Sequence, residues 1–223
     1  MQKASSTIPI VVAGLADPVG FGMVASLSKP GGNVTGTAIM ATDVSVKSLE
    51  FLLAFVPALR LVAVLLNPNN PIDPVTLKQV QAAAMPSGVS VAAFEARSAA
   101  EIDVAFAAIA RSRAEALIVA PDPVLVNQAR QITELAAKGR LPAIYPFRPF
   151  VEVGGLMCYG QNIYENFGRA ASYIDRIFRG AKRGELPVEQ PTQLELVVNR
   201  KAAEAIGLKV PLPILLRANM VID

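Results

Sequence analysis

Histidine is absent from the 223 residues, and cysteine occurs once. The first absence removes the commonest general base, the commonest transition-metal ligand and every Ser-His or Cys-His nucleophile pair. Catalysis by carboxylates, by lysine or by a cofactor stays open. A single cysteine, Cys158, forbids an internal disulfide and so carries no information on redox compartment. Set in the apolar stretch 154–159, it reads as a small buried hydrophobe. Charge is scarce too, at 17% against 52% hydrophobic residues, which argues for a folded core and against disorder. No apolar run approaches the roughly 18 residues that a membrane span needs.

The formal net charge of +3 comes from scattered basic residues, with no stripe of the kind nucleic acid requires, so no nucleic-acid partner is expected. A Walker motif, a Cys/His cluster, G-x-S-x-G and clustered Asp/Glu for calcium or magnesium are all missing, so no cofactor or metal is expected. Gly20-Phe21-Gly22 lacks the third glycine of a dinucleotide fingerprint and reads as ordinary helix residues. Residues 1–7 run straight into a strand-like segment without an apolar core or cleavage motif. Expressed as given, such a chain is expected to stay in the cytoplasm.

What is present divides into three blocks. The first is short: strand-like 7–13, a helix over 19–27, the turn Pro30-Gly31-Gly32-Asn33, and strand-like 34–39. The second alternates regularly. An amphipathic helix carrying Leu49, Leu52, Leu53 and Val56 precedes strand-like 61–66. Asp73 as N-cap and Pro74 then open a helix with Leu77, Val80 and Ala84 on one side. Strand-like 89–94 follows. Ser98 and Glu101 form a capping box before a helix that turns Ile102, Phe106, Ile109 and Ala110 inward. Strand-like 116–120, a helix from Asp122-Pro123 to Lys138-Gly139, and strand-like 141–145 complete the block. This pattern describes an α/β lobe with a parallel sheet covered on both faces. The third block has strand-like 155–159 and a helix over 162–178, with an inward stripe of Ile163, Phe167, Ala170, Ala171, Ile174, Ile177 and Phe178. A short strand, a short helix and a Pro-rich tail end it. With too few strands for its own sheet, it is expected to complete the first block. That gives a discontinuous first lobe of 1–43 with 151–223, and a second lobe of 44–150.

One arrangement recurs: a strand, then Asp-Pro or Asn-Pro, then a helix, at Asp17-Pro18, Asn67-Pro68 and Asp122-Pro123. Ligands of open parallel sheets collect at these strand ends. Asp before Pro is also a routine N-cap, and one carboxylate can cap a helix and accept from a ligand. Tyr145, Phe147, Phe150 and Tyr159 flank the second crossing between lobes. They either sandwich an apolar solute or pack in the core. Arg148 either meets a ligand carboxylate or is a solvated hinge residue. Thr37 lies at the first crossing.

Several stretches, read in order, resemble the ABC transporter substrate-binding protein family that includes aromatic-amino-acid receptors. They are 7–11, Asp17-Pro18-Val19, 30–36, 62–68, 141–145, 154–160, and Gln190-Pro191-Thr192 leading to 194–199. The resemblance implies an α/β, two-lobed type I periplasmic-binding fold of parallel sheets flanked by helices. It implies a small-molecule solute, plausibly an amino acid, bound between the lobes, and an ABC permease at the membrane as partner. It implies a periplasmic or membrane-anchored location, and binding in place of turnover. It puts Asp17, Thr35, Asn67, Asp122 and Tyr159 near the ligand, joined as candidates by Thr37 and Tyr145. Asp122 or Asp17 would meet an ammonium and Thr35 a carboxylate. The family opens with an export signal and further strands, so the first lobe is expected to be incomplete. The rivals are an effector-sensing domain of a transcription regulator and a carboxylate- or cofactor-dependent α/β enzyme.

Overall fold

The computed structural model describes residues 5–190 and 193–223. Residues 1–4, and Pro191 and Thr192 of the 190–199 stretch, lie outside them. In chain order the first elements are β1 (Ile10–Ala16), β2 (Val34–Ile39), α1 (Ala41–Phe55), β3 (Leu61–Leu66), α2 (Asp73–Ala84), β4 (Ser90–Glu95) and α3 (Ala99–Ser112). Then come β5 (Ala116–Val119), α4 (Pro123–Asn127), α5 (Ala129–Lys138), β6 (Ala143–Tyr145), α6 (Arg148–Glu152) and β7 (Met157–Gly160). The last are α7 (Ile163–Phe178), β8 (Glu195–Asn199), α8 (Arg200–Ala205), α9 (Leu212–Leu215) and β9 (Met220–Ile222). The chain divides into two compact units: residues 1–40 with 161–194, and residues 41–160 with 195–223.

The larger unit is built on one sheet of order β4-β3-β5-β6-β7-β8-β9. Its pairs are parallel except β7 with β8. Continuous apolar strands are what a sheet covered on both faces requires, and the side chains sort accordingly. Val62, Val64 and Leu66 of β3 pack on one face with Ile118, under Phe51, Leu52 and Phe55 of α1 and Val80 of α2. Ala63 and Leu65 turn to the other face with Leu117 and Val119, under Ile102 and Phe106 of α3 and Ile132 of α5. Ser98 caps α3 by accepting from the Glu101 N–H at 3.3 Å. Glu101 reaches back to the N–H of Arg97, at 3.0 Å, and not to that of Ser98. Ala105, not Ala110, completes the buried face of α3.

Several expectations differ from the structure. β7, β8 and β9 extend the large sheet, because Val197 buries into one face while Leu196 and Val198 bury into the other. Residues 151–160 and 195–223 therefore belong to the larger unit, in contrast to the expected division at 44–150. The helix expected over 123–138 is two helices, parted at Gln128 where the backbone leaves helical angles (φ −105°, ψ 22°). Asp73 does not cap α2.

The smaller unit contains the parallel pair β1–β2 and the helix α7. Val24, Val34, Ala38 and Val188 form its core, with Ile10, Val12 and Leu15 against it. Residues 19–27 form turns and not a helix. Gly20 and Gly22 fall within one turn of each other, Gly22 takes the left-handed φ of +65°, and the Asp17 carboxylate accepts from the Gly20 N–H at 2.8 Å. The α7 stripe is also rotated from expectation. Asn166, Ala170 and Tyr173 are buried, whereas Phe167 is 59% and Phe178 85% exposed.

Candidate functional site

Each unit gathers polar side chains at strand ends, and each cluster is described separately. In the smaller unit, Thr37 stands near the end of β2. An isolated bridge joins it to Glu189, the Ala38 N–H donating to Glu189 O (2.8 Å) and the Glu189 N–H donating to Gly36 O (3.0 Å). Gln161 follows β7 directly. Asn162 caps α7, its carbonyl oxygen accepting from the Tyr164 N–H at 3.0 Å. One turn on, Asn166 takes a position on the buried face of the helix. Thr37, Gln161, Asn162, Glu165, Asn166 and Arg169 line a cavity of about 170 Å³, and all nine lining residues are polar or charged.

Three of these side chains are buried: Thr37, Asn166, and Gln161 at 3% exposure. Yet Thr37 Oγ1, Asn166 Nδ2 and both Gln161 carboxamide atoms have no hydrogen-bond partner among the described residues. Leaving a buried polar atom unpaired costs about 1–3 kcal/mol, so native proteins carry few of them. Such a group of unmet donors and acceptors around a cavity is what a polar ligand would satisfy. Arg169 is held at the rim by Glu189 at 2.7 Å. Gly14 takes a φ of +99°, and a Cβ there would lie 2.9 Å from Ile39 Cγ2 on the paired strand, with Asn166 Nδ2 at an ordinary 3.6 Å.

In the larger unit, Asn67 at the end of β3 and Asp122 after β5 meet. Asn67 Nδ2 donates to both Asp122 oxygens at 3.2 Å. Asp122 also caps α4, accepting from the N–H groups of Val124 (2.8 Å) and Leu125 (3.2 Å), and accepts from Asn70 Nδ2 at 3.2 Å. Asp73 accepts from the Asn67 N–H at 2.8 Å. Burial raises the Asp73 carboxyl from 3.8 to about 7; the Asn67 N–H opposes this and the nearby Asp122 adds to it. Among the described residues no group of three acidic or cysteine side chains forms a metal site.

The other residues singled out in the sequence are engaged elsewhere. The Thr35 hydroxyl donates to Leu186 O at 2.8 Å. Asp17 is exposed in its turn. Tyr145 is buried and stacks on Phe150 at 4.8 Å, with burial pushing its hydroxyl well above the usual range, so here the core-packing reading applies. Tyr159 is half-buried and tilts against Phe51 at 4.9 Å. Arg148 pairs with Glu152 at 2.9 Å. Cys158 is buried and its thiol is pushed up to about 12, chiefly by burial, which leaves it unreactive. Gln161, Asn166, Asn70 and Asp73 were missed. A polar residue at 166, on the face shared with Ile163, Ala170, Tyr173 and Ile177, was the available signal.

An α/β fold with a mostly parallel sheet flanked by helices is the architecture of the periplasmic-binding type. The chain matches the family of ABC transporter substrate binding proteins over residues 1–222 and belongs to it. It is 26% identical over 209 residues to a tyrosine-binding protein of Clostridioides difficile, a match covering 93% of this chain and 59% of that protein. Among solved structures, an ABC domain from Streptococcus pneumoniae in complex with L-Trp is 25% identical with a TM-score of 0.86; the match covers 99% of this chain and 75% of that one. A conserved domain protein from Vibrio cholerae is 26% identical with a TM-score of 0.88, covering 98% and 73%. The chain thus spans about 59% of the length of the curated relative. Among the described residues no helix is long and apolar enough to cross a membrane.

Proposed function

We propose that this chain is the solute-binding component of an ABC-type import system and that its solute is an α-amino acid. The observation that carries this reading is the cavity at the head of α7, where Thr37, Gln161 and Asn166 bury polar atoms without partners among the described residues. A structural polar cluster satisfies itself; a binding cluster keeps its donors and acceptors for the ligand. The relatives named for tyrosine and for L-Trp support that chemical class. The mechanism is capture and release outside the cytoplasm: the solute completes hydrogen bonds left open among the described residues of the free protein, and an ABC permease in the membrane receives the loaded form.

Titration calorimetry of the chain against the twenty amino acids, several pentoses and simple carboxylic acids is the test. Saturable, one-to-one binding of at least one amino acid is expected. Binding confined to the sugars or simple acids would sink the proposal.

A further inference from the structure

Resting on the reading of this chain as an amino-acid receptor, we infer that the cavity at the head of α7 is the subsite for the solute's α-ammonium and α-carboxylate, with Gln161 as a specificity-determining residue. Size is the first argument. At about 170 Å³ the cavity is smaller than the roughly 300–1,000 Å³ of a complete small-molecule pocket, so it takes one end of a ligand. Its lining among the described residues is polar or charged, which suits the head group and not an apolar side chain.

Charge narrows the choice further. Arg169 is already tied to Glu189, and Glu165 adds a second carboxylate to the lining. The lining acids therefore outnumber the lining base, which disfavours a simple anion. Donors without a partner among the described residues are nevertheless plentiful: the Thr37 hydroxyl, Asn166 Nδ2 and Gln161 Nε2. A group carrying both signs meets both conditions. Its carboxylate accepts from those three donors, beside the N-terminal end of a helix whose dipole favours negative charge. Its ammonium donates to Gln161 Oε1, also unpaired, and to Glu165. A carboxamide with both ends buried and unmatched reads the two charges of a zwitterion at once.

The test uses L-tyrosine and L-tryptophan as probes, their amides (no carboxylate), and 3-(4-hydroxyphenyl)propionate and indole-3-propionate (no ammonium). Each derivative is expected to bind at least about tenfold more weakly than its parent, since a site built for hydrogen bonds rejects analogues lacking them. Gln161→Leu and Thr37→Val are expected to cost about tenfold or more in affinity without lowering the melting temperature of the free protein, because they remove two and one buried polar atoms that have no partner among the described residues. Asn166→Asp keeps the shape and sets a carboxylate against the ligand's own. With it, tryptophanamide is expected to bind at least as well as tryptophan, a reversal that a folding defect would not produce. If the amino acids bind but derivatives and variants stay within about twofold of the parent, the subsite is wrong and the receptor reading stands. If none of the twenty amino acids binds, the receptor reading has failed and the subsite falls with it.

Discussion

Asp73→Asn is expected to stabilise the protein strongly at pH 8 and hardly at all at pH 4. Asp73 is 1% exposed; one oxygen accepts from the Asn67 N–H and the other has no partner among the described residues. Burial disfavours its charged form, and Asp122 nearby adds to the penalty, so its carboxyl stands at about 7 when folded against 3.8 ordinarily. The unfolded chain therefore ionises first as pH rises. Stability is fully present below about pH 4, falls through the interval up to about 7, and is flat above it. A difference of this size corresponds to something on the order of 4 kcal/mol at pH 8. Asparagine keeps an acceptor for the Asn67 N–H and carries no charge. Urea unfolding at pH 4, 6 and 8 should show the gap between variant and parent opening with pH. A gap that stays constant over this range would contradict the assignment.

The second large effect is expected at Gly36, immediately before Thr37. Its φ is +129°, and a Cβ there would lie 2.1 Å from Val12 O and 2.7 Å from Val12 N on the paired strand. Both obstacles are backbone, so neither can swing aside. Gly36→Ala is expected to cost more than about 3 kcal/mol, through strain and the loss of β1–β2 pairing, and to abolish solute binding by displacing Thr37. Gly88→Ala supplies the contrast. Its φ is +67° but nothing lies within 4 Å, so only the left-handed backbone penalty of roughly 1–2 kcal/mol applies. Thermal unfolding of the two variants, side by side, separates steric closure from conformational preference. Equal losses would show that the strand approach at Gly36 is not what limits it.

Local chemistry was legible wherever it decided structure alone. The bounds of β2 and β3, the Ser98 cap of α3 and the Asp122 cap of α4 follow from apolar runs and short polar side chains. Long-range partners were not legible. Residues 195–199 carry a strand pattern, but nothing in that pattern says that they pair antiparallel with β7. Two apolar stripes compete on α7. Counting hydrophobes selects Phe167, Ala171, Ile174 and Phe178, whereas packing selects Asn166, Ala170 and Tyr173. The candidate site was hidden for the same reason. Thr37 was singled out, but Gln161 and Asn166 count as polar and hence as surface until the fold buries them. Tyr145 was open both ways: an aromatic at a strand end offers a ligand contact or core packing, and Gly155, whose Cβ would lie 2.6 Å from the ring, leaves room for it in the core.

The central claim is that the unpaired amides at the head of α7 meet the solute, and their own side-chain NH2 signals report on it most directly. In ¹⁵N-labelled protein, with assignments from the loss of signals in Gln161→Leu and Asn166→Asp, the bound amino acid should shift the NH2 pairs of both residues. The NH2 of Gln131 already donates to Ala99 O and Asp103 and should stay where it is. Binding that leaves the Gln161 and Asn166 signals unmoved would contradict the account.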